Sequence, residues 1–107
     1  MENSVVEGGT YLCKLNQEQI GKIEDLAHSN KNQIEIPSDG KVEMLFVSHN
    51  FLMVTNPDGK KEKKRRCNEN LSPCWIAEPA KKYWTGSESQ RMGISISEDQ
   101  IIRKINK

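Results

Sequence analysis

The chain has 107 residues, with 16 Lys or Arg against 15 Asp or Glu, a net charge of +1 and an apolar fraction of 35%; its mean hydropathy is −0.75. That length supports one domain with a single modest core, and near-neutrality argues against a surface built throughout for nucleic acid. No apolar segment approaches the roughly 18 residues that a membrane-spanning helix needs, so no membrane span is expected.

Residues 1–9 read as a flexible N-terminal arm ending in Gly8 and Gly9, followed by a single β-rich domain over residues 10–107. The N-terminus lacks the basic and apolar regions of a secretory signal. The compartment therefore stays open: cytoplasmic, or periplasmic or secreted if a signal peptide has been removed. Usage rich in Lys, Asn and Ile looks like an AT-rich bacterial or phage coding region.

Residues 10–15 form a first strand by their β-prone residues, with Tyr11 and Cys13 on one face. Asn16 and Gln19 make a capping box for a helix whose apolar face is Ile20, Ile23, Leu26 and Ala27 and which ends near residues 28–30. Residues 33–36 alternate as a strand, and Pro37-Ser38-Asp39-Gly40 is a turn. The two strongest strand signals, residues 41–47 and 51–55, are joined by the hairpin-sized loop Ser48-His49-Asn50.

Asn56-Pro57-Asp58-Gly59 is a second turn, with Pro at i+1 and Gly set for positive φ. Residues 60–67 return from it as an antiparallel strand too polar for the core, hence an edge or a solvated ribbon. Residues 74–77, 82–85 and 93–97 are further short strands. The last segment carries two signals: a capping box from Ser97 to Gln100 that starts a helix, and an isoleucine-rich strand over residues 100–105, which the β-preference of Ile favours. The fold expected is α+β and β-rich: a small antiparallel meander sheet or partly open barrel with one N-terminal helix packed on it, or, failing that, an all-β barrel. Its core would hold Tyr11, Ile20, Ile23, Leu26, Ile34, Ile36, Leu45, Val47, Leu52, Val54, Trp75, Ile94 and Ile96.

His28 and His49 fall in separate elements, and no sequence signature of a hydrolase or metalloprotease surrounds either. Cys67 beside Arg65 and Arg66 has an activating environment but no assignable base. Cys13, Cys67 and Cys74 with one histidine would make a zinc set, yet their spacing is wrong for short-range knuckles. Cys67 and Cys74 are instead a candidate disulfide, while Cys13 reads equally as a small buried apolar residue. No cofactor and no metal is expected, and the oligomeric state stays open.

The sharpest signal is the basic run Lys60, Lys61, Lys63, Lys64, Arg65 and Arg66, interrupted only by Glu62. In a strand, Lys61, Lys63 and Arg65 share one face and Lys60, Glu62, Lys64 and Arg66 the other. Such a ribbon suits an acidic protein surface, through forked Arg–carboxylate pairs, or phosphates. Tyr83 and Trp84, adjacent in a strand before the Gly-Ser segment at residues 86–89, point to opposite faces, so one can enter the core while the other, Trp84 by preference, is an exposed interface anchor. Together these point to a non-enzymatic module that recognises or inhibits another protein, of the toxin-immunity or enzyme-inhibitor type. Its contact residues would be Lys61, Lys63, Lys64, Arg65, Arg66, Tyr83 and Trp84. The alternative is a small nucleic-acid-binding protein using the ribbon at residues 60–66.

Overall fold

A computed structural model describes residues 5–29, 33–85 and 93–105. The elements in chain order are β1 (Thr10–Lys14), α1 (Gln17–Ser29), β2 (Lys41–His49), β3 (Phe51–Thr55), β4 (Lys61–Arg65), β5 (Cys74–Pro79), β6 (Ile94–Ser97) and β7 (Ile101–Lys104). Short 3-10 turns occupy Lys81–Tyr83 and Glu98–Gln100. Residues 1–4, the 86–89 segment and the last two residues lie outside the described residues.

The architecture is α+β and β-rich. One helix packs on an antiparallel array of seven strands that does not close into a barrel: a five-stranded sheet in the order β6-β5-β2-β1-β7, and a separate two-stranded ribbon, β3–β4. β6 and β7 are opposite edges of the larger sheet, yet only Glu98–Gln100 separates them in the chain. Five flat strands would span about 19 Å at the usual spacing, more than a single 3-10 turn covers at about 2 Å per residue. The sheet must therefore curl until its edges approach each other. Bulges between Leu12 and Cys13 and between Phe46 and Ser48 supply the bends, as extra residues on one strand of a pair do.

Local chemistry accounts for the element ends. The capping box at α1 forms as expected: Gln19 N–H donates to Asn16 Oδ1 at 2.8 Å and Asn16 N–H donates to Gln19 Oε1 at 3.0 Å. Gly40 N–H donates to Pro37 O at 3.0 Å with φ 74°, and Gly59 N–H donates to Asn56 O at 2.9 Å with φ 84°; both glycines sit where a side chain would be strained. After Ser97 both sequence signals are realised in turn. Ser97 N–H donates to Gln100 Oε1 in a capping box, but the helix stops after one 3-10 turn and strand β7 follows. Residues 5–9 of the expected arm are tied down, since Gly8 N–H donates to Phe46 O and Phe46 N–H to Gly9 O.

The core is Tyr11, Cys13, Leu15, Ile23, Val42, Met44, Phe46, Trp75, Ala77, Ile94 and Ile96. Phe46 packs with tilted rings against Tyr11 and Trp75, at centroid distances of 5.0 and 5.6 Å. This corrects the expected parity of β2. Val42, Met44 and Phe46 point inward, whereas Leu45 is half-buried and Val47 is 37% exposed. Both parities of this strand are apolar, and the discriminating residue is Glu43, which shares the outer face with Leu45 and Val47. Leu26 is also mostly outside the core, because Ile23 and Ala27 define the buried stripe of α1 and Leu26 lies on its flank. Leu52 and Val54 belong to the ribbon and not to the core cluster.

Two further expectations change. β2 and β3 do not form a hairpin: β2 runs to His49, Asn50 turns the chain, and β3 leaves the large sheet to pair, among the described residues, with β4 alone. Residues 33–36 and 82–85 are not strands, but meet in one bridge between Ile34 and Trp84.

Candidate functional site

The ribbon is built from the turn outward. Asn56 N–H donates to Lys60 O at 2.8 Å, Lys60 N–H to Asp58 Oδ1 at 2.9 Å, and the register runs Thr55–Lys61, Val54–Glu62, Met53–Lys63, Leu52–Lys64 and Phe51–Arg65. One face therefore presents Phe51, Met53 and Thr55 beside Arg65, Lys63 and Lys61; the other presents Leu52 and Val54 beside Lys64 and Glu62. Met53 is 60% exposed and Phe51 41%. Lys63 Nζ lies 4.2 Å from the Phe51 ring centroid, a cation–π contact that holds the ammonium over the aromatic face. Six of the 16 bases of the chain sit in residues 60–66 with one acid, leaving ten bases against 14 acids elsewhere. The ribbon is thus a positive arm on a negative body.

Its root is tied by three backbone bonds: Asn50 N–H to Cys74 O at 3.1 Å, Arg66 N–H to Asn50 O at 2.8 Å and Cys74 N–H to Arg66 O at 2.9 Å. Side chains add a second fastening. The Arg65 guanidinium stacks 4.9 Å from the buried Trp75 ring and donates through Nε to Cys74 O at 3.4 Å. Trp75 Nε1–H donates to Glu98 Oε2 at 2.7 Å, and Arg65 Nη2 lies 3.6 Å from the same oxygen. His49 also packs on this group, its ring centroid 4.0 Å from that of Trp75. Arg65, expected as one contact residue among its basic neighbours, is thus a half-buried anchor of the ribbon, its guanidinium engaged on Trp75 and Glu98.

Lys61, Lys63, Lys64 and Arg66 are exposed. Tyr83 and Trp84 are not brought to them. The Tyr83 hydroxyl accepts from Glu43 N–H at 2.9 Å, and Trp84 Nε1–H donates to Pro79 O at 3.4 Å. Glu43 lies six residues along β2 from His49, about 20 Å at the rise of a strand. Both rings are half-buried and their polar atoms are used internally, so neither is the exposed anchor expected. The aromatic and apolar partners of the charges are instead Phe51 and Met53. Counting cross-strand pairs outward from Asn56-Pro57-Asp58-Gly59 would have found them.

The three cysteines are free thiols. The expected Cys67–Cys74 bridge is not formed, because the cross-strand partner of Cys67 is Pro73. Adjacent strand residues point to opposite sides, which leaves Cys67 exposed and Cys74 buried. Burial pushes the Cys13 thiol up to about 12. Among the described residues no three His, Cys, Asp or Glu converge as a metal-ligand set.

A polar cleft of about 380 Å³ beside the second 3-10 turn includes Gln19, Asn68, Ser97, Asp99 and Gln100. Its groups are largely spent on each other: Gln19 and Gln100 carboxamides bond at 2.6 and 2.9 Å, and Asn68 Nδ2–H donates to Asp99 Oδ2 at 2.9 Å. The Ser97 hydroxyl and then the Asn68 carboxamide, both donating, hold the Asp99 carboxyl below the usual carboxylate range. This network braces the loop that follows the ribbon. At that loop's tip Leu71 is 81% exposed with φ 62°, a conformation that costs a non-glycine residue about 1–2 kcal/mol. Comparison of the chain with known protein families, curated proteins and solved structures gave no match.

Proposed function

We propose that the chain is a non-enzymatic protein-binding module, of the immunity or enzyme-inhibitor type, that docks its ribbon on an acidic surface of another protein. The observation that carries this reading is the ribbon face itself, where exposed Phe51 and Met53 stand beside Lys61 and Lys63. Protein interfaces are enriched in aromatic residues and Met at their centre, and a few such anchors supply most of the binding energy. The surrounding lysines would steer an acidic partner into place and make the association rate fall with salt. Backbone bonds and the Arg65–Trp75–Glu98 group fasten the root of the ribbon, so less conformational freedom is lost on docking.

The charges alone would serve phosphates equally well, and a two-stranded ribbon fits the DNA major groove. The exposed Met53 in the centre of the same face favours a protein. The deciding experiment is capture from a lysate of the source cells, with and without nuclease treatment, comparing the wild type with the Lys61→Gln, Lys63→Gln, Met53→Ser variant. Retention of an acidic protein by the wild type and its loss from the variant supports the reading. Retention that disappears on nuclease treatment, with steep salt-dependent binding to mixed duplex DNA, overturns it.

A further inference from the structure

Resting on that reading, we propose that the partner is recognised by strand addition: an extended, acidic segment pairs along the outer edge of β4 and turns the ribbon into a three-stranded sheet. The hydrogen-bond pattern defines which groups are free for this. Arg66 N–H bonds Asn50 O at the root and Asn56 N–H bonds Lys60 O at the tip. Positions alternate in an antiparallel ladder, so Leu52–Lys64 and Val54–Glu62 are the pairs that exchange bonds between the strands. The N–H and C=O groups of Lys61, Lys63 and Arg65 therefore point away from β3. The β3–β4 ribbon has no third strand among the described residues, and an isolated two-stranded ribbon is marginal in water.

β3 has an equivalent free edge at Phe51, Met53 and Thr55, but its neutral side chains do not select an occupant. β4 does. Its lysines make pairing with a second copy of itself unfavourable, because like charges would stand directly opposite. An incoming strand gains where acids face Lys61, Lys63 and Lys64, and loses where an acid faces Glu62. Arg65 is already committed to Trp75 and Glu98. An antiparallel segment is thus read, opposite Lys64, Lys63, Glu62 and Lys61 in turn, as acidic, acidic, uncharged, acidic.

The test uses the isotopically labelled full chain and a capped peptide, Thr-Val-Glu-Glu-Thr-Glu-Val-Thr, titrated at low salt. Its controls are the same peptide N-methylated on the residues whose N–H would face β4, and a Lys-for-Glu version. Strand addition predicts slowed amide exchange at Lys61, Lys63 and Arg65, and at least about a tenfold loss of affinity on N-methylation, as expected for three missing hydrogen bonds. It also predicts that Lys63→Pro weakens binding well beyond Lys63→Gln; a proline is tolerated there because its missing N–H faces outward. Equal binding of the N-methylated peptide, with no protection of those amides, overturns strand addition while leaving the acidic-protein reading in place. Failure of every acidic peptide, alongside tight binding of duplex DNA, overturns both.

Discussion

Replacing Glu98 with leucine removes the acceptor of the Trp75 indole and the counter-charge of Arg65 in one step. Trp75 is 1% exposed, so its N–H has no solvent to turn to. A hydrogen bond to a charged group contributes about 1.5–3 kcal/mol. The Arg65 and Glu98 side chains are 30% and 31% exposed, and their 3.6 Å pairing adds only about 0.5 kcal/mol in that setting. The expected loss for Glu98→Leu is about 2–3 kcal/mol, or roughly 8–12 °C in Tm for a chain of this size. Glu98→Gln keeps a neutral acceptor and should lose about 1 kcal/mol. Urea unfolding at pH 7 followed by far-ultraviolet circular dichroism measures both. If each variant unfolds within about 0.5 kcal/mol of the wild type, the ribbon root is not held by this group and the anchoring role given to Arg65 is wrong.

The depressed Asp99 carboxyl has a definite sign. The native state binds that proton less readily than the unfolded chain, so its stabilisation is present above the ordinary Asp value of about 3.9 and is lost as pH falls through the native value. The urea midpoint should therefore fall less steeply in acid for Asp99→Asn than for the wild type, and equal slopes would remove Asp99 from the account. Native protein should show one rapidly reacting thiol, Cys67, towards a disulfide reagent at pH 8, and three after unfolding; a total of one would mean that a bridge forms. Met44→Ala should destabilise by about 2–5 kcal/mol through the cavity it leaves, whereas Val47→Ala should lose less than about 1 kcal/mol. Similar losses at both positions would contradict the inward parity of β2.

Much of the local structure was legible because its causes are local. The Asn16–Gln19 capping box, the two glycine turns and the polar strand after Gly59 each follow from a few adjacent residues. The basic run was likewise visible, with its alternation of faces. What was not legible depends on contacts distant in the chain. Both parities of residues 41–47 are apolar, and Phe46 is placed inside by Tyr11 and Trp75, not by its neighbours. Nothing near Asn50 announces that β3 leaves the sheet. Arg65 reads like its basic neighbours until Trp75 and Glu98 arrive from β5 and the turn before β7. Tyr83 and Trp84 look like exposed anchors only while Glu43 and Pro79 are out of view.

A photo-crosslinking residue placed at Met53, compared with one at the exposed Asp25 of α1, tests directly whether the ribbon face is where a partner sits. A partner docked on the ribbon face gives covalent capture of an acidic protein from position 53, suppressed by added salt, and none from position 25. Capture from both positions alike, or of nucleic acid from position 53, would contradict it.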